Sequence, residues 1–448
     1  MSVVVETPRF RPSDLITFAG YRQGAIAFVQ YGTAIGAVYF VVGPLLPDML
    51  HDLGWTLGVT SAALLVRGLL GAVLSPLTGW LITRHGIRPV VLTGGVTTAA
   101  CTALTGTVTN PFEFMVVFGI ALTVADSFMG YIPAASLVQR WFLGRRAVVM
   151  GFVNSGAGFG GLIFAPLMGV LVREFGWRHA LFVLALIILA LVTPAWWLRE
   201  RPAQVGQGVD GVDGREIPDE GATDVIGTVQ LRLGQIMRHP VFWMLFVIFG
   251  VEAWALGTYS AYQVLYLESV GVSKAASSGA LGIAAGIAAV SGILLSRAND
   301  RISPYYVIIG SMVAMTVGSV IFGLARSPIP LYAYSILFGA GYGLLVPTIA
   351  VAVGRYFGAR HFAKAFGMGQ LISGSMGGLG PYVTGLIVDH THSYDLPIHL
   401  MTALLVGAVV LAIAARPPRH ALRPVQQVDP EHGGAVDPKA DSAPAVEL

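Results

Sequence analysis

Three ionisable side chains fall inside long apolar runs of this 448-residue chain: Arg67 in "AALLVRGLLGAV", Asp126 in "VFGIALTVADSFMGY" and Glu252 in "VIFGVEAWALG". Each costs about 2.5–3.5 kcal/mol at the centre of a membrane helix. A chain keeps such a group where it pairs, meets water or does chemistry. A guanidinium stays charged and presents a planar fork that matches a carboxylate. Arg67 therefore reads either as the contact for an anionic group of a solute, or as the fixed partner of Asp126 or of free helix carbonyls. Asp126 and Glu252 read as proton carriers, because a desolvated carboxyl group can take up and release a proton. The competing reading makes them buried partners of Arg67 or of nearby hydroxyls. Glu252 is the preferred carrier, since no basic residue shares its half of the membrane.

Neutral polar side chains in the same runs supply candidate solute contacts: Gln30, Tyr31, Tyr131, Asn154, Tyr259, Tyr262, Gln263, Tyr342 and Gln370. Tyr259, Tyr262, Gln263 and Tyr266 recur at i, i+3, i+4 and i+7, so they share one helix face. That stripe suits a cavity wall, or an interfacial anchor where it nears a helix end.

The elements that must position these groups are membrane helices. Hydrophobic residues make up 55% of the chain and charged residues 11%, with a mean hydropathy of +0.71; soluble domains carry about 25% charged residues. A bilayer-crossing helix needs about 20 mostly apolar residues. Such runs centre near Ile35, Leu70, Thr98, Asp126, Gly160, Ile187, Glu252, Ala288, Ala314, Phe338, Gly374 and Val406. Twelve spans follow, an all-α membrane protein of two six-helix bundles. On this reading Arg67 lies roughly 12 Å down the second span and Asp126 roughly 21 Å down the fourth.

The expected organisation is a cytoplasmic N-terminus over 1–22, a first bundle over 23–198, a cytoplasmic linker over 199–238, a second bundle over 239–415 and a disordered tail over 416–448. The linker is expected to hold one short helix near "LRLGQIMRH". No signal peptide is expected, since two arginines follow a short apolar patch at the start. With both termini cytoplasmic, 22 of the 27 Lys and Arg residues fall on that side, and Arg173, Arg178, Lys274 and Arg326 fall opposite. The positive-inside bias supports this orientation. The halves also repeat: Pro89 and Pro304, Arg140 and Arg355, and Pro166 and Pro381 are each separated by 215 positions. Duplicated six-span units place a solute site near the midplane between halves that rock about it.

Local motifs narrow the reading. "PLLPDMLHDLGW" closes the first span, "GWLITRHGIRPVVL" lies between spans two and three, and "YIPAASLVQRWFLGRRAVVMGFVNSGAGFG" joins spans four and five. With "FGWR" and "YLESVGVSKAASSG", these resemble the major facilitator superfamily and, within it, the monocarboxylate porter and oxalate–formate exchanger branch. The resemblance covers nearly the whole chain and implies alternating access. The cationic turns, Arg84, Arg88, Arg145, Arg146 and Arg360, are expected to touch lipid phosphates and acidic groups of the other half and so to gate one facing state, and the resemblance makes Asp300–Arg301 the second half's gating equivalent of the loop signature's acidic–basic pair. The chain departs from the family in three places, one being that the oxalate exchanger's arginine of span eight and lysine of span eleven have no match here. Thr83 replaces the acidic residue of the loop signature. Span eight lacks the acid–arginine pair of monocarboxylate porters, with Ser291 among uncharged neighbours.

Other chemistry is excluded on the residues. The net charge of +3 gives no footing for nucleic acid, and the single cysteine, Cys101, rules out a disulfide framework. The "GFVNSGAGFGG" run sits inside a span, so its glycines serve close packing, of span five on eight and of eleven on two, rather than nucleotide binding. "DHTHSYD" reads as a solvated loop rather than a metal site. No cofactor and no enzyme chemistry is expected. The sequence reads as a monomeric secondary transporter of the inner or plasma membrane, moving a small organic anion, a monocarboxylate, with protons. A proton-driven exporter of amphipathic compounds is the alternative. A transporter-derived receptor without flux is the second.

Overall fold

The computed structural model describes residues 18–143, 145–212, 233–296, 302–357 and 362–417. These are helical throughout, with connecting turns. The first half holds α1 (Ala19–Gly36), α2 (Val42–Leu53), α3 (Leu57–His85), α4 (Ile87–Thr105), α5 (residues 111–127), α6 (Tyr131–Trp141) and α7 (Arg146–Val192). The second half holds α9 (Pro240–Ser269), α10 (Lys274–Ser296), α11 (Pro304–Leu324), α12 (Pro328–Phe357), α13 (Phe362–Thr391) and α14 (Asp395–Ala414). Between them lies the short α8 (Leu233–Arg238), where a linker helix was expected.

Among the described residues, ten segments are long and apolar enough to cross a membrane. One of them, Val148–Trp197, is 50 residues long and is interrupted at Gly176, whose φ of 74° reverses the chain. Only glycine takes that conformation without strain. The reversal is tied down: Trp177 Nε1 donates to Asp52 at 3.0 Å, and Arg178 donates to the carbonyls of Gly106 and Val108. Counted as two passes, with α1 and α2 forming one broken pass, the chain follows the twelve-pass path.

Successive passes alternate in direction, so both ends of each half lie at one end of the molecule, the near end. The turns at Gly54, Gly176 and Gly271 mark the far end. The second half and the near end of the first half have their own apolar cores, whereas the core at the far end of the first half also takes in Ala261, Tyr262 and Val388 of the second. A smaller cluster of Phe40, Ala165, Leu281 and Ala285 bridges them. Contacts between the halves run mainly through α7 on α10 and α3 on α13, the pairs that the glycine runs predict. A Cβ at Gly158 would lie 2.7 Å from the Ala289 Cβ, and one at Gly68 would lie 2.7 Å from the Gly378 Cα. Small residues let the backbones approach this closely. The close contacts continue toward the far end at Gly169 with Ser278 and Gly385 with Ser61. Toward the near end, Gly79, Gly151 and Gly367 meet nothing within 4 Å. The halves are thus packed at the far end and parted at the near end.

Residues 199–212, the start of the expected linker, pack under the first half. The Arg199 amide donates to Gln23 Oε1 at 2.8 Å, the Ala19 amide to Gln207 Oε1 at 3.0 Å, and the Leu143 amide to the buried Asp210 at 3.1 Å. The remaining linker positions 213–232 and the tail from 418 lie outside the described residues.

Candidate functional site

Two broken passes build the centre. α1 stops at Gly36 and α2 resumes at Val42, so Tyr39 stands in the turn between them, with Tyr31 in the preceding helix. The fourth pass begins at Pro111 under an Asn110 cap, widens into a π-helical turn over Met115–Ala121, and stops after Ser127. Asp126 occupies the last turn before this break, and Tyr131 opens α6 beyond it. Interrupted helices at the midplane are a recurring way for transporters to present side chains and free backbone to a solute.

Arg67 extends from α3 to Asp126, its Nη2 donating to Oδ2 at 2.6 Å. The two side chains are 12% and 14% exposed, so the pair is largely removed from solvent. The guanidinium also lies over the Phe118 ring, 5.0 Å from its centroid. That ring stacks on Phe114. Arg67 Nη1 is buried and has no hydrogen-bond partner. The ion-pair reading of Arg67 therefore describes this state, and the solute reading requires that the pair open.

Glu252, on α9, is only 2% exposed, and its Oε1 has no hydrogen-bond partner. No cation pairs with it among the described residues. Tyr39 lies within electrostatic reach of both Glu252 and Arg67, and its hydroxyl faces that of Ser260. Tyr342, on α12, interacts with Glu252, Tyr31 and Tyr39. The Tyr31 and Tyr131 rings meet edge-on at 6.2 Å. Direct contacts thus join Arg67 to Asp126 and Tyr31 to Tyr131, and electrostatic influence links Tyr31, Arg67, Glu252 and Tyr342 through Tyr39. Sequence reading passed over Tyr39; the Gly43–Pro44 step just beyond it, which marks an interrupted helix, was the available signal.

Other candidates lie elsewhere. Tyr259 packs inside the second half against Phe322, Tyr334 and Phe338. Gln263 accepts from Tyr334 Oη at 2.8 Å and donates to the Ser277 carbonyl at 3.1 Å. Tyr266 accepts from Arg326 at 2.7 Å. This face of α9 is turned into its own bundle, not toward the centre. Gln30 is buried and donates to the Leu191 carbonyl at 2.8 Å, tying α1 to α7. Tyr262 sits at the far end, near Ser61, Asp389 and Tyr394. Gln370 is exposed near the other end and accepts from Ser373 within its own helix. Asn154 keeps a buried, unpartnered Oδ1 one turn from Gly158, beside α10.

Three of the cationic turns contact side chains of their own half. Arg84 lies over Trp80 and Arg88 over Trp196, and Arg145 donates to Tyr21 Oη. Arg146 opens α7, and Asp300, Arg301 and Arg360 lie outside the described residues. No ion pair between described residues joins the halves at the near end. At the far end two polar ties do. Lys274 donates to Asp48. Asp389 accepts from the amides of Leu57 at 2.9 Å and Gly58 at 2.6 Å, capping α3 from α13. Asp389 opens the "DHTHSYD" stretch, so the solvated-loop reading is corrected at that residue. Its backbone belongs to the last turn of a helix that lies against α3.

A sequence model described as the Major Facilitator Superfamily matches residues 31–381 and 287–440. The chain belongs to the major facilitator superfamily. This transporter, not an enzyme, is a multi-pass membrane protein. It is 27% identical to monocarboxylate transporter 13 of Bos taurus over 344 residues, covering 75% of this chain and 76% of that one. It is 25% identical to monocarboxylate transporter 11 of Mus musculus over 404 residues, covering 84% and 83%. Among solved structures, it matches a bacterial homolog of the human lysosomal transporter Spinster in an inward-facing, unoccupied conformation. That TM-score is 0.67 at 15% identity, covering 91% of this transporter and 98% of the other chain. The structural likeness establishes the shared fold.

Proposed function

We propose that this transporter carries a small monocarboxylate with protons across the cell membrane by alternating access. One observation carries the reading: a buried guanidinium stands between two broken helices, bonded to a carboxylate that a solute carboxylate can replace. When Asp126 takes a proton, its charge no longer holds Arg67, and the fork is free for the solute anion. The solute and the proton then move together, since neither leaves an uncompensated charge in the closing centre. Glu252 keeps its place as a second proton site, and the tyrosine hydroxyls orient the solute. The names of the relatives support the substrate class.

Arginine-rich turns at the near end support a cytoplasmic placement for it. The packing at the far end then corresponds to a state open to the cytoplasm. Reconstituted protein tests the reading. An inward acid gradient should accelerate uptake of labelled monocarboxylates, and Arg67→Gln should reduce it at least 10-fold, about 1.4 kcal/mol of lost binding. Arg67→Lys should not restore it, because an ammonium lacks the planar fork. Uptake that ignores both the gradient and Arg67 overturns the proposal. Protection of cells against amphipathic dyes, with no carboxylate flux, would favour the exporter instead.

A further inference from the structure

The turns at the far end enclose a cavity of about 500 Å³, and neither Arg67, Asp126 nor Glu252 lines it. Its walls come from both halves. Asp48, His51 and Asp52 stand on the last turns of α2, and residues 175–179 form the reversal within α7. Across the boundary, Glu268 lies at the end of α9 and Lys274 opens α10. His51, Asp52, Phe175 and His179 are exposed, so the cavity opens to the far side. Sites for small molecules run to about 300–1,000 Å³, and this one has the size for a small organic ligand.

The cations of the wall are already committed. Lys274 donates to Asp48. Arg178 donates to the carbonyls of Gly106 at 3.1 Å and Val108 at 3.0 Å, stands 3.7 Å from Asp52, and covers the Trp177 ring at 4.2 Å. The acceptors are in excess. Asp48, Asp52 and Glu268 are three carboxylates against those two cations. Among the described residues, the Glu268 side chain makes neither an ion pair nor a hydrogen bond. In the same wall the Phe175 ring is 57% exposed. A free carboxylate takes N–H donors, and an open ring face attracts positive charge. An anion would have to part Lys274 from Asp48 or Arg178 from its carbonyls. A metal ion is not favoured, since no group of three His, Cys, Asp or Glu among the described residues is placed to hold one.

We infer that this cavity binds amphipathic organic cations, an amine or guanidine with an aromatic body, and that the bound cation holds the far end closed. The ammonium meets Glu268, and the aromatic body lies against Phe175. The effect on the cycle follows from the walls. Parting the halves at the far end draws α2 away from Glu268 and Lys274 and divides the cavity. A ligand seated across it therefore favours the closed far end, by its difference in affinity for the two states. Such a cation slows turnover from the far side without entering the carboxylate path through the centre.

The probes are phenethylamine and phenethyl alcohol, which share an aromatic body and differ in charge. Titrated against the full-length protein in detergent, the amine should bind about 10-fold tighter than the alcohol. Glu268→Gln and Phe175→Ala should each weaken the amine about 10-fold and leave the alcohol's preference behind. Phe175 is exposed, so its loss spares the fold, and melting without ligand checks both variants. Hydrocinnamate, the matching carboxylate, should not displace the amine, even where it binds at Arg67. In a Cys101→Ser background, saturating amine should slow maleimide labelling of Ser61→Cys about 5-fold, as a shift toward the closed far end requires. Equal affinity for amine and alcohol, displacement by hydrocinnamate, or binding untouched by both substitutions overturns the site. Amine binding that leaves Ser61→Cys labelling unchanged overturns its hold on the far end.

Discussion

Arg67 and Asp126 form a tightly joined pair at 2.6 Å in a largely dry setting. Removing one member of such a pair leaves an uncompensated charge and costs about 3–5 kcal/mol, whereas replacing both with apolar groups of similar volume is close to neutral. Thermal unfolding of detergent-purified protein should therefore show large losses for Arg67→Met and for Asp126→Leu alone. The double substitution should recover most of the stability. Additive losses would show that the two groups are not coupled. Transport separates from stability here. The recovered double variant should remain inactive, because the fork that meets the solute is gone.

Helix packing sets what can move. α7 and α10 approach so closely at Gly158 that a side chain there meets Ala289. Gly158→Leu should force these helices apart by overpacking, at about 1–3 kcal/mol, and slow exchange while leaving expression measurable. α3 is held at its first turn by Asp389 of α13. An aspartate at that position both satisfies orphan amides and faces the positive end of the helix. Asp389→Ala should weaken the far-end closure by about 1–2 kcal/mol. Asp389→Asn, which still caps but carries no charge, should fall between. Equal behaviour of the Ala and Asn variants would assign the effect to charge alone.

Across the whole molecule, Lys274 with Asp48 and Asp389 with the first turn of α3 join the halves at the far end, while Arg84 and Arg88 lie over tryptophans of their own half. Such an arrangement favours the state parted at the near end. In a Cys101→Ser background, a cysteine at Gly151 should react readily with a maleimide, and one at Ser61 should be protected. Combining Asp48→Asn with Asp389→Ala should shift the population about 10-fold, near 1.4 kcal/mol, and raise the Ser61 signal accordingly. Protection unchanged by both substitutions would place the latch elsewhere. Thr83 carries no carboxylate, so closure of the near end draws on other groups, whereas at the far end Asp48 and Asp389 make the ties.

The amino-acid sequence by itself determined the membrane class, the passes and the duplication, because the cost of placing charge and bare backbone in hydrocarbon acts on every residue locally. It also marked Arg67, Asp126 and Glu252, for the same reason. The helix pairs that touch were legible too, since only small residues permit such contact. What it left open was which side of each helix looks inward. Tyr259 and Gln263 share a polar stripe with Tyr266, yet the stripe faces the second bundle, and Gln30 faces α7 rather than the centre. A helix in a bundle has polar partners in several directions, and periodicity does not distinguish them. Tertiary structure alone decided that Arg67 meets Asp126, 59 residues away, that Glu252 meets no cation among the described residues, and that Tyr39, in a turn of the first pass, lies within electrostatic reach of both Arg67 and Glu252. Those outcomes depend on distances between separate passes, which no local pattern encodes.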